Sequence, residues 1–214
     1  GLVNNLLPAD FDPAAATMII TWRETLSYLT RMGFAAGKSL LVFGSGGNGL
    51  AYAAHATNLG ASTVTLVGSH RRAAEATRAG ANTFIDYKAD TLKQDAAAAC
   101  PDGYDFVIDA IGKSEIADVG LALLKPGGSI GVYGLDGGGA IALNPGATKG
   151  TFTYYNGGYE ESETHDRVVA DIQAGKLDAS IWLDLENPFP LDAINDAFEA
   201  VNSRRLVKAV VKLS

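Results

Sequence analysis

Hydrophobic residues gather in six short runs, at residues 39–43 (SLLVF), 63–67 (TVTLV), 83–86 (TFID), 106–109 (FVID), 129–133 (SIGVY) and 151–155 (TFTYY). They are rich in β-branched and aromatic residues, and most are unbroken rather than alternating. Unbroken runs mark strands covered on both faces, as in a parallel sheet. Helical stretches are expected between them. Residues 50–59 are Ala-rich, residues 71–79 close on Gly80, a good C-cap, and residues 116–124 meet the stop Lys125-Pro126-Gly127-Gly128. Strand, helix, strand at this spacing is the βαβ signature, with right-handed crossovers.

The two ends read differently. Residues 13–31 form a helix leading into the sheet, and residues 164–174 a helix stopped by Gly175. The apolar segment 181–185 follows, then a turn marked by Pro188 and Pro190, a helix over 191–202 and a final strand over 208–213. There is no internal repeat. The low-complexity patches, Ala96–Ala99 and Gly137–Gly139, are too short to be linkers.

Composition narrows the class. Of 214 residues, 47% are hydrophobic and 19% charged, with 17 basic against 24 acidic side chains. That excludes disorder and allows a core burying roughly 70% of the unfolded surface. No basic run or stripe points to nucleic acid. One cysteine, Cys100, excludes a disulfide framework or a Cys-based zinc finger. No apolar run approaches the ~20 residues of a membrane span, and no signal peptide is seen. The expectation is a cytoplasmic protein with no membrane or nucleic-acid partner. Because the chain opens with Gly1, it is read as a trimmed or excised piece.

The chemistry lies in Gly44-Ser45-Gly46-Gly47-Asn48-Gly49, which fits G-x-G-x-x-G directly after a strand and at the opening of a helix. The first glycine allows the tight turn, the second lets a pyrophosphate approach the backbone, and the third lets helix and strand pack closely. The helix N-terminus adds free N–H groups and a positive dipole end. The bland alternative is a glycine-rich turn with no ligand. Gly33–Ser39 imitates a phosphate-binding P-loop, but it has one intervening residue too few and precedes a strand; Lys38 there is read as a solvated turn residue. The end of the second strand selects the dinucleotide. An NAD site places a carboxylate there for the ribose. This chain has Gly68, Ser69, His70, Arg71 and Arg72, which favours NADP through charge-assisted bonds to a 2′-phosphate. The alternative is an ordinary basic face, although a helix start disfavours cations.

With these residues in hand, the chain resembles the medium-chain dehydrogenase/reductase superfamily, which includes zinc-type alcohol dehydrogenases and quinone oxidoreductases. The likeness runs from about residue 12 to residue 213. It rests on residues 21–26 (TWRETL), 37–49, Gly80-Ala81, Ile85-Asp86-Tyr87, 107–112 (VIDAIG), 124–128 (LKPGG) and 208–211 (KAVV). It implies a Rossmann doubly wound six-stranded parallel sheet of order 3-2-1-4-5-6. The implied division is a lead-in at 1–12, an NAD(P)-binding domain at 13–177, and a tail at 178–214 that returns to a catalytic domain absent from this chain. Ser69, Arg72 and Tyr87 then look like holders of the 2′-phosphate, and Ala110 and Ile111 like the wall beside the adenine-side ribose. Tyr133, Gly134, Thr151, Phe152 and Thr153 look like segments that hold the nicotinamide carboxamide, and Lys208 like a basic residue reaching the cofactor. Zinc-type members carry a cysteine ligand just before the helix at Thr21. Here that stretch is Ala16-Thr17-Met18-Ile19-Ile20, which makes zinc unlikely and leaves Asp10 or Asp12 as the substitutes that could serve.

Other residues read as structural. Asp109 is a cap or turn residue, His55 a partly buried helix residue, His165 a helix opener without a visible partner, and residues 160–163 a solvated helix entry. Trp22 and Trp182 are core or interface residues, and Cys100 sits in a surface turn. Residues 151–155 form the sheet's edge, where pairing with a second copy makes a homodimer plausible. The leading expectation is the nucleotide-binding part of an NADPH-dependent oxidoreductase. It would transfer hydride to a carbonyl or conjugated C=C of a small-molecule substrate, with no catalytic residue identifiable in this chain. The alternatives are a non-catalytic dinucleotide-binding module and, more weakly, a methyltransferase.

Overall fold

The computed structural model describes residues 5–136 and 140–213; the Gly137–Gly139 patch and the Gly1 opening lie outside them. Six parallel strands form the main sheet: β1 (Ser39–Phe43), β2 (Thr63–Gly68), β3 (Thr83–Asp86), β4 (Tyr104–Asp109), β5 (Leu124–Val132) and β6 (Thr153–Tyr155). Their order is β3-β2-β1-β4-β5-β6, as expected. Alternation across the sheet explains the unbroken runs. Leu40 and Val42 of β1 face one core layer, while Leu41 and Phe43 face the other. The first layer is closed by α2 (Ile19–Arg31), α3 (Gly47–Asn58), α4 (Ala73–Arg78) and α7 (His165–Gln173). The second is closed by α5 (Leu92–Ala99) and α6 (Ser114–Leu123). Each fully buried aliphatic side chain contributes about 1.5–3 kcal/mol, so both layers are needed.

Several boundaries differ from the sequence reading. The helix expected over 13–31 is two helices, α1 (Pro13–Ala16) and α2. Asp12 caps α1 by accepting from the Ala14 and Ala15 N–H groups. The low-complexity Ala96–Ala99 is the last turn of α5. Alanine is the best helix former, and the Tyr104 hydroxyl pins that turn by donating to the Ala96 carbonyl at 2.8 Å. Lys125–Gly128 does follow the end of α6, but it lies inside β5 rather than in a turn. The ladder resumes at Leu124, opposite Tyr104, and shifts register before Phe106. Asp105 stabilises this corner with ion pairs to Lys125 (2.6 Å) and Lys38 (3.3 Å), so Lys38 is not merely solvated.

Residues 160–163 are also more than a solvated entry. Arg23 pairs with Glu161 and Arg31 with Glu163, each at 2.7 Å, which fastens this segment to α2. His165 is buried, with Arg23 Nη1 and the Leu6 carbonyl each 3.3 Å from its ring nitrogens. His55 is fully buried rather than partly so, and burial pushes it down to about 3, which keeps it neutral.

The tail holds α8 (Ile194–Asn202) and a two-stranded parallel sheet, β7 (Phe189–Pro190) with β8 (Val211–Lys212). The expected proline turn is therefore partly strand, and the expected final strand over 208–213 is shortened. Pro190 has no N–H to extend the ladder. Among the described residues, no helix is long and apolar enough to cross a membrane.

Candidate nucleotide-binding site

β1 leads into Gly44, whose φ of 110° requires a residue without a Cβ. Its N–H donates to the Val67 carbonyl at 2.8 Å, so the turn is stitched to β2. A Cβ on Gly49 would run into the Gly44 carbonyl, so helix and strand cross at a distance that only glycine permits. A Cβ on Gly46 would meet nothing within 4 Å, leaving open approach to the backbone there. Among the described residues no side chain caps α3 at Gly46, so its first N–H groups and its dipole are available to an anion. Trp182 and Lys208 brace the loop from the tail. Trp182 Nε1 donates to the Gly47 carbonyl at 2.8 Å, and a Cβ on Gly47 would come within 2.8 Å of Lys208 Cε.

The glycine turn opens into a cleft of about 560 Å³, a size suited to a small-molecule ligand. Of the residues singled out in the sequence, Gly44, Ser45, Gly46, Gly68, Ser69, Arg72, Tyr87, Ala110 and Ile111 line it. Ser45 knits two walls together, since its hydroxyl accepts from the Ser69 N–H at 3.1 Å. A Cβ on Gly68 would overlap the Ser45 side chain. Glycine at the end of β2 is thus demanded by packing, independently of any nucleotide preference. Asp109 is fully buried and accepts from the N–H groups of Ile111, Gly112 and Lys113. It fixes the opposite wall, in the turn role expected of it.

The basic cluster is not a row of free cations. Arg72 is buried, with Nη1 on Glu75 at 3.1 Å and Nη2 on the Arg204 carbonyl at 2.8 Å. Arg71 is exposed, with Nη1 3.5 Å from the Ser203 carbonyl. His70 faces Asp86 at 3.5 Å. The second wall was not legible beforehand, because the tail supplies it with Val201, Arg204, Leu206 and Val207. Lys113, Ile116, Val119 and Asp136 also line the cleft.

The remaining candidates lie elsewhere. Asn48 is in the first turn of α3. Tyr133 and Gly134 follow β5 at its carboxyl end, where ligands of open α/β sheets bind, but neither lines this cleft. Tyr133 packs edge-on against Tyr28 (5.2 Å) and Tyr52 (5.4 Å). Burial and the nearby Glu24 carboxylate push its hydroxyl well above the usual tyrosine range. Thr151, Phe152 and Thr153 are not brought to the crevice at all. They lie at the amino end of β6, and the Thr151 carbonyl accepts from Gly127 at the foot of β5. The carboxyl end of that strand is Tyr155. Among the described residues, no three His, Cys, Asp or Glu side chains gather as a metal site. In the stretch before α2, Thr17 donates its hydroxyl to the Ala14 carbonyl and Met18 is fully buried. That stretch offers zinc neither a thiolate nor an imidazole.

Residues 47–157, which carry the α3 N-terminus and most of the sheet, match the zinc-binding dehydrogenase family. The chain belongs to that family. It corresponds to the C-terminal part of the medium-chain dehydrogenase/reductases. It is 29% identical over 213 residues to L-galactonate-5-dehydrogenase of Escherichia coli (strain K12), covering 98% of this chain and 62% of that one. It is also 29% identical over 199 residues to 2-methylene-furan-3-one reductase of Solanum lycopersicum, covering 92% and 46%. The chain thus spans less than two thirds of these relatives. Among solved structures, alcohol dehydrogenase TADH from Thermus sp. ATN1 superposes with a TM-score of 0.85 at 22% identity, covering 96% of this chain and 62% of that one. Benzyl alcohol dehydrogenase from Acinetobacter calcoaceticus gives 0.84 at 19% identity, covering 97% of this chain and 59% of that one. At these identities the likeness concerns the fold.

Proposed function

We propose that this chain is the nucleotide-binding part of an NADPH-dependent oxidoreductase that reduces a carbonyl or conjugated C=C of a small molecule. The observation that carries the reading is the uncapped N-terminus of α3 beside an unobstructed Gly46, opening into the cleft. Gly44–Gly49 and Lys208 would hold the pyrophosphate, Ala110 and Ile111 the adenine-side ribose, and Tyr133 and Gly134 the nicotinamide end. Ser69 and Tyr87, with the basic cluster of His70, Arg71 and Arg72, would favour the 2′-phosphate; β2 ends in Gly68 rather than a carboxylate. NADPH, when bound, supplies the hydride. This chain's own part is to bind and orient it.

The rest of the reading follows from family membership and from the residues present. Residues 178–214 are proposed as a tail that packs against a catalytic domain supplied outside this chain. Zinc-independence is proposed because the donor set lacks thiolate or imidazole before α2. A homodimer through the edge strand β6 and a cytoplasmic setting complete it. The test is to titrate the protein with NADPH and NADH at two salt concentrations, following nicotinamide fluorescence. Tighter NADPH binding that weakens with salt, with little turnover by this chain, is expected. Equal affinity for the two would overturn the NADPH assignment, and no binding of either would overturn the nucleotide site.

A further inference from the structure

We infer that Glu24, acting through the Tyr133 ring, makes the nicotinamide end favour the oxidised, cationic ring over the neutral reduced one; the inference rests on the nucleotide reading above. Placement is the first observation. α3 begins at the glycine turn, and Tyr52 stands in its second turn, about 8 Å along the axis from Gly47. The Tyr52 ring meets the Tyr133 ring at 5.4 Å. Tyr133 leaves the carboxyl end of β5, and its N–H donates to the Asp109 carbonyl, at the end of β4, at 2.8 Å. With adenosine in the cleft on the β2 side of the glycine turn, a dinucleotide has its other half over the ends of β4 and β5. Tyr133 is half-buried there, so its ring is open to contact.

The second observation is the charge behind that ring. Tyr28 and Tyr52 are buried and pack edge-on beneath Tyr133. Tyr159 is exposed and leans against Tyr133, with centroids 6.1 Å apart. Glu24 lies on α2 one turn before Tyr28, on the same face. Its carboxylate stands beside the Tyr133 and Tyr159 hydroxyls, and its field reaches Tyr52. Burial and this charge hold the Tyr133 hydroxyl in its protonated form, a neutral donor facing the carboxylate. The neighbouring cations of α2 are committed elsewhere, Arg23 to Glu161 and Arg31 to Glu163. Among the described residues, Glu24 itself is in no ion pair. A nicotinamide ring is neutral when reduced and carries one positive charge once the hydride, a proton with two electrons, has left it. A tyrosine face attracts a cation. A carboxylate behind the face adds a Coulomb attraction that the neutral ring does not feel. The same preference acts during hydride donation, because positive charge grows on the ring as the hydride departs.

The experiment titrates parent, Glu24→Gln, Glu24→Asp and Tyr133→Phe proteins with NADP+ and with NADPH by calorimetry, and melts each without nucleotide. The ratio of the two affinities cancels the phosphate contacts, which both forms share. Glu24→Gln is expected to shift that ratio toward NADPH by at least about fivefold, by weakening NADP+ alone. Glu24→Asp keeps the charge and should keep most of the parent's ratio. Tyr133→Phe keeps the ring face but loses the hydroxyl, and should shift the ratio the same way by less. A folded Glu24→Gln protein with the parent's ratio, or with both forms weakened alike, overturns this inference and leaves the nucleotide reading standing. Where Glu24→Gln does not fold, an unchanged ratio in Tyr133→Phe overturns it in the same way. A parent protein that binds neither form overturns the nucleotide reading and this inference together.

Discussion

Trp22 and Trp182 meet edge to face at 5.4 Å, both buried, but their indole N–H groups have opposite surroundings. Trp182 Nε1 donates to the Gly47 carbonyl at 2.8 Å, whereas Trp22 Nε1 is buried without a partner among the described residues. Phenylalanine at either position removes the same ring atoms, so the packing losses should largely cancel. The polar terms do not cancel. Trp182→Phe forfeits a hydrogen bond of about 1 kcal/mol, while Trp22→Phe relieves an unpaired donor costing about 1–3 kcal/mol. The Trp182 variant should therefore be the less stable by about 2–4 kcal/mol, a large share of a stability of about 5–15 kcal/mol. Urea unfolding followed by circular dichroism reads this directly, since slopes near 1–3 kcal/mol/M turn the gap into a midpoint difference of about 1 M or more. The remaining tryptophan gives a second probe of the same transition. Equal midpoints, or a less stable Trp22→Phe, would refute the reasoning.

Two further outcomes follow from the same structure. Gly68→Asp, the simplest way to give β2 an NAD-type carboxylate, should lower the melting temperature by several degrees, because its Cβ overlaps Ser45. Adding Ser45→Gly should restore most of the loss, and thermal scans of the four proteins that came out additive would rule the clash out. Asp105 sets an acid limit. Burial alone would raise its pKa, but Lys125, Ser39 and Lys38 outweigh burial and hold it at about 2. A carboxylate lowered on folding stabilises above its unfolded pKa, near 3.9, and loses that contribution as pH falls toward 2. The parent should therefore lose stability faster than Asp105→Asn between about pH 4 and pH 2, and parallel chemical-denaturation curves across that window would contradict this.

The sheet was legible because its signal is local. Unbroken runs such as SLLVF need cover on both faces, and the glycine turn between β1 and α3 dictates its own backbone. α5 was not legible, because four consecutive alanines carry no amphipathic period to set against the sheet. The 151–155 run was read as a strand, of which only Thr153–Tyr155 forms β6, and only direction and register show that Thr151 precedes its foot while Tyr155 stands at its carboxyl end. The cleft was half legible. Gly44, Ser69, Tyr87 and Ala110 belong to loops whose spacing follows the βαβ pattern, whereas Val201, Arg204, Leu206 and Val207 arrive from 91 or more residues away. Nothing local marks them except a helix that ends in arginine where glycine is the usual choice. Arg72 shows what a linear reading of charge leaves out: its fork meets Glu75 and the Arg204 carbonyl, and neither contact is marked in the run of arginines.

The tail is joined to the cleft at two of its corners. Trp182 and Lys208 brace the glycine turn, while Arg71 and Arg72 reach the carbonyls of Ser203 and Arg204. Arg78 adds an ion pair to Asp178 at 3.0 Å and a bond to the Ser180 hydroxyl at 2.6 Å. On its inner side α8 buries Ala197 and Ala200, but outward it exposes Phe198 at 63% and Ile194 at 37%. An exposed apolar stripe on a helix is a surface suited to a partner. The helix is nine residues long and ends at the Arg204 turn, so the outer face and the cleft share one short rigid element. If the cleft holds the proposed nucleotide, linkage makes the coupling reciprocal: whatever docks on the outer face shifts nucleotide affinity by the factor with which nucleotide shifts docking. The tail is therefore the element through which nucleotide occupancy and the proposed catalytic domain would sense one another.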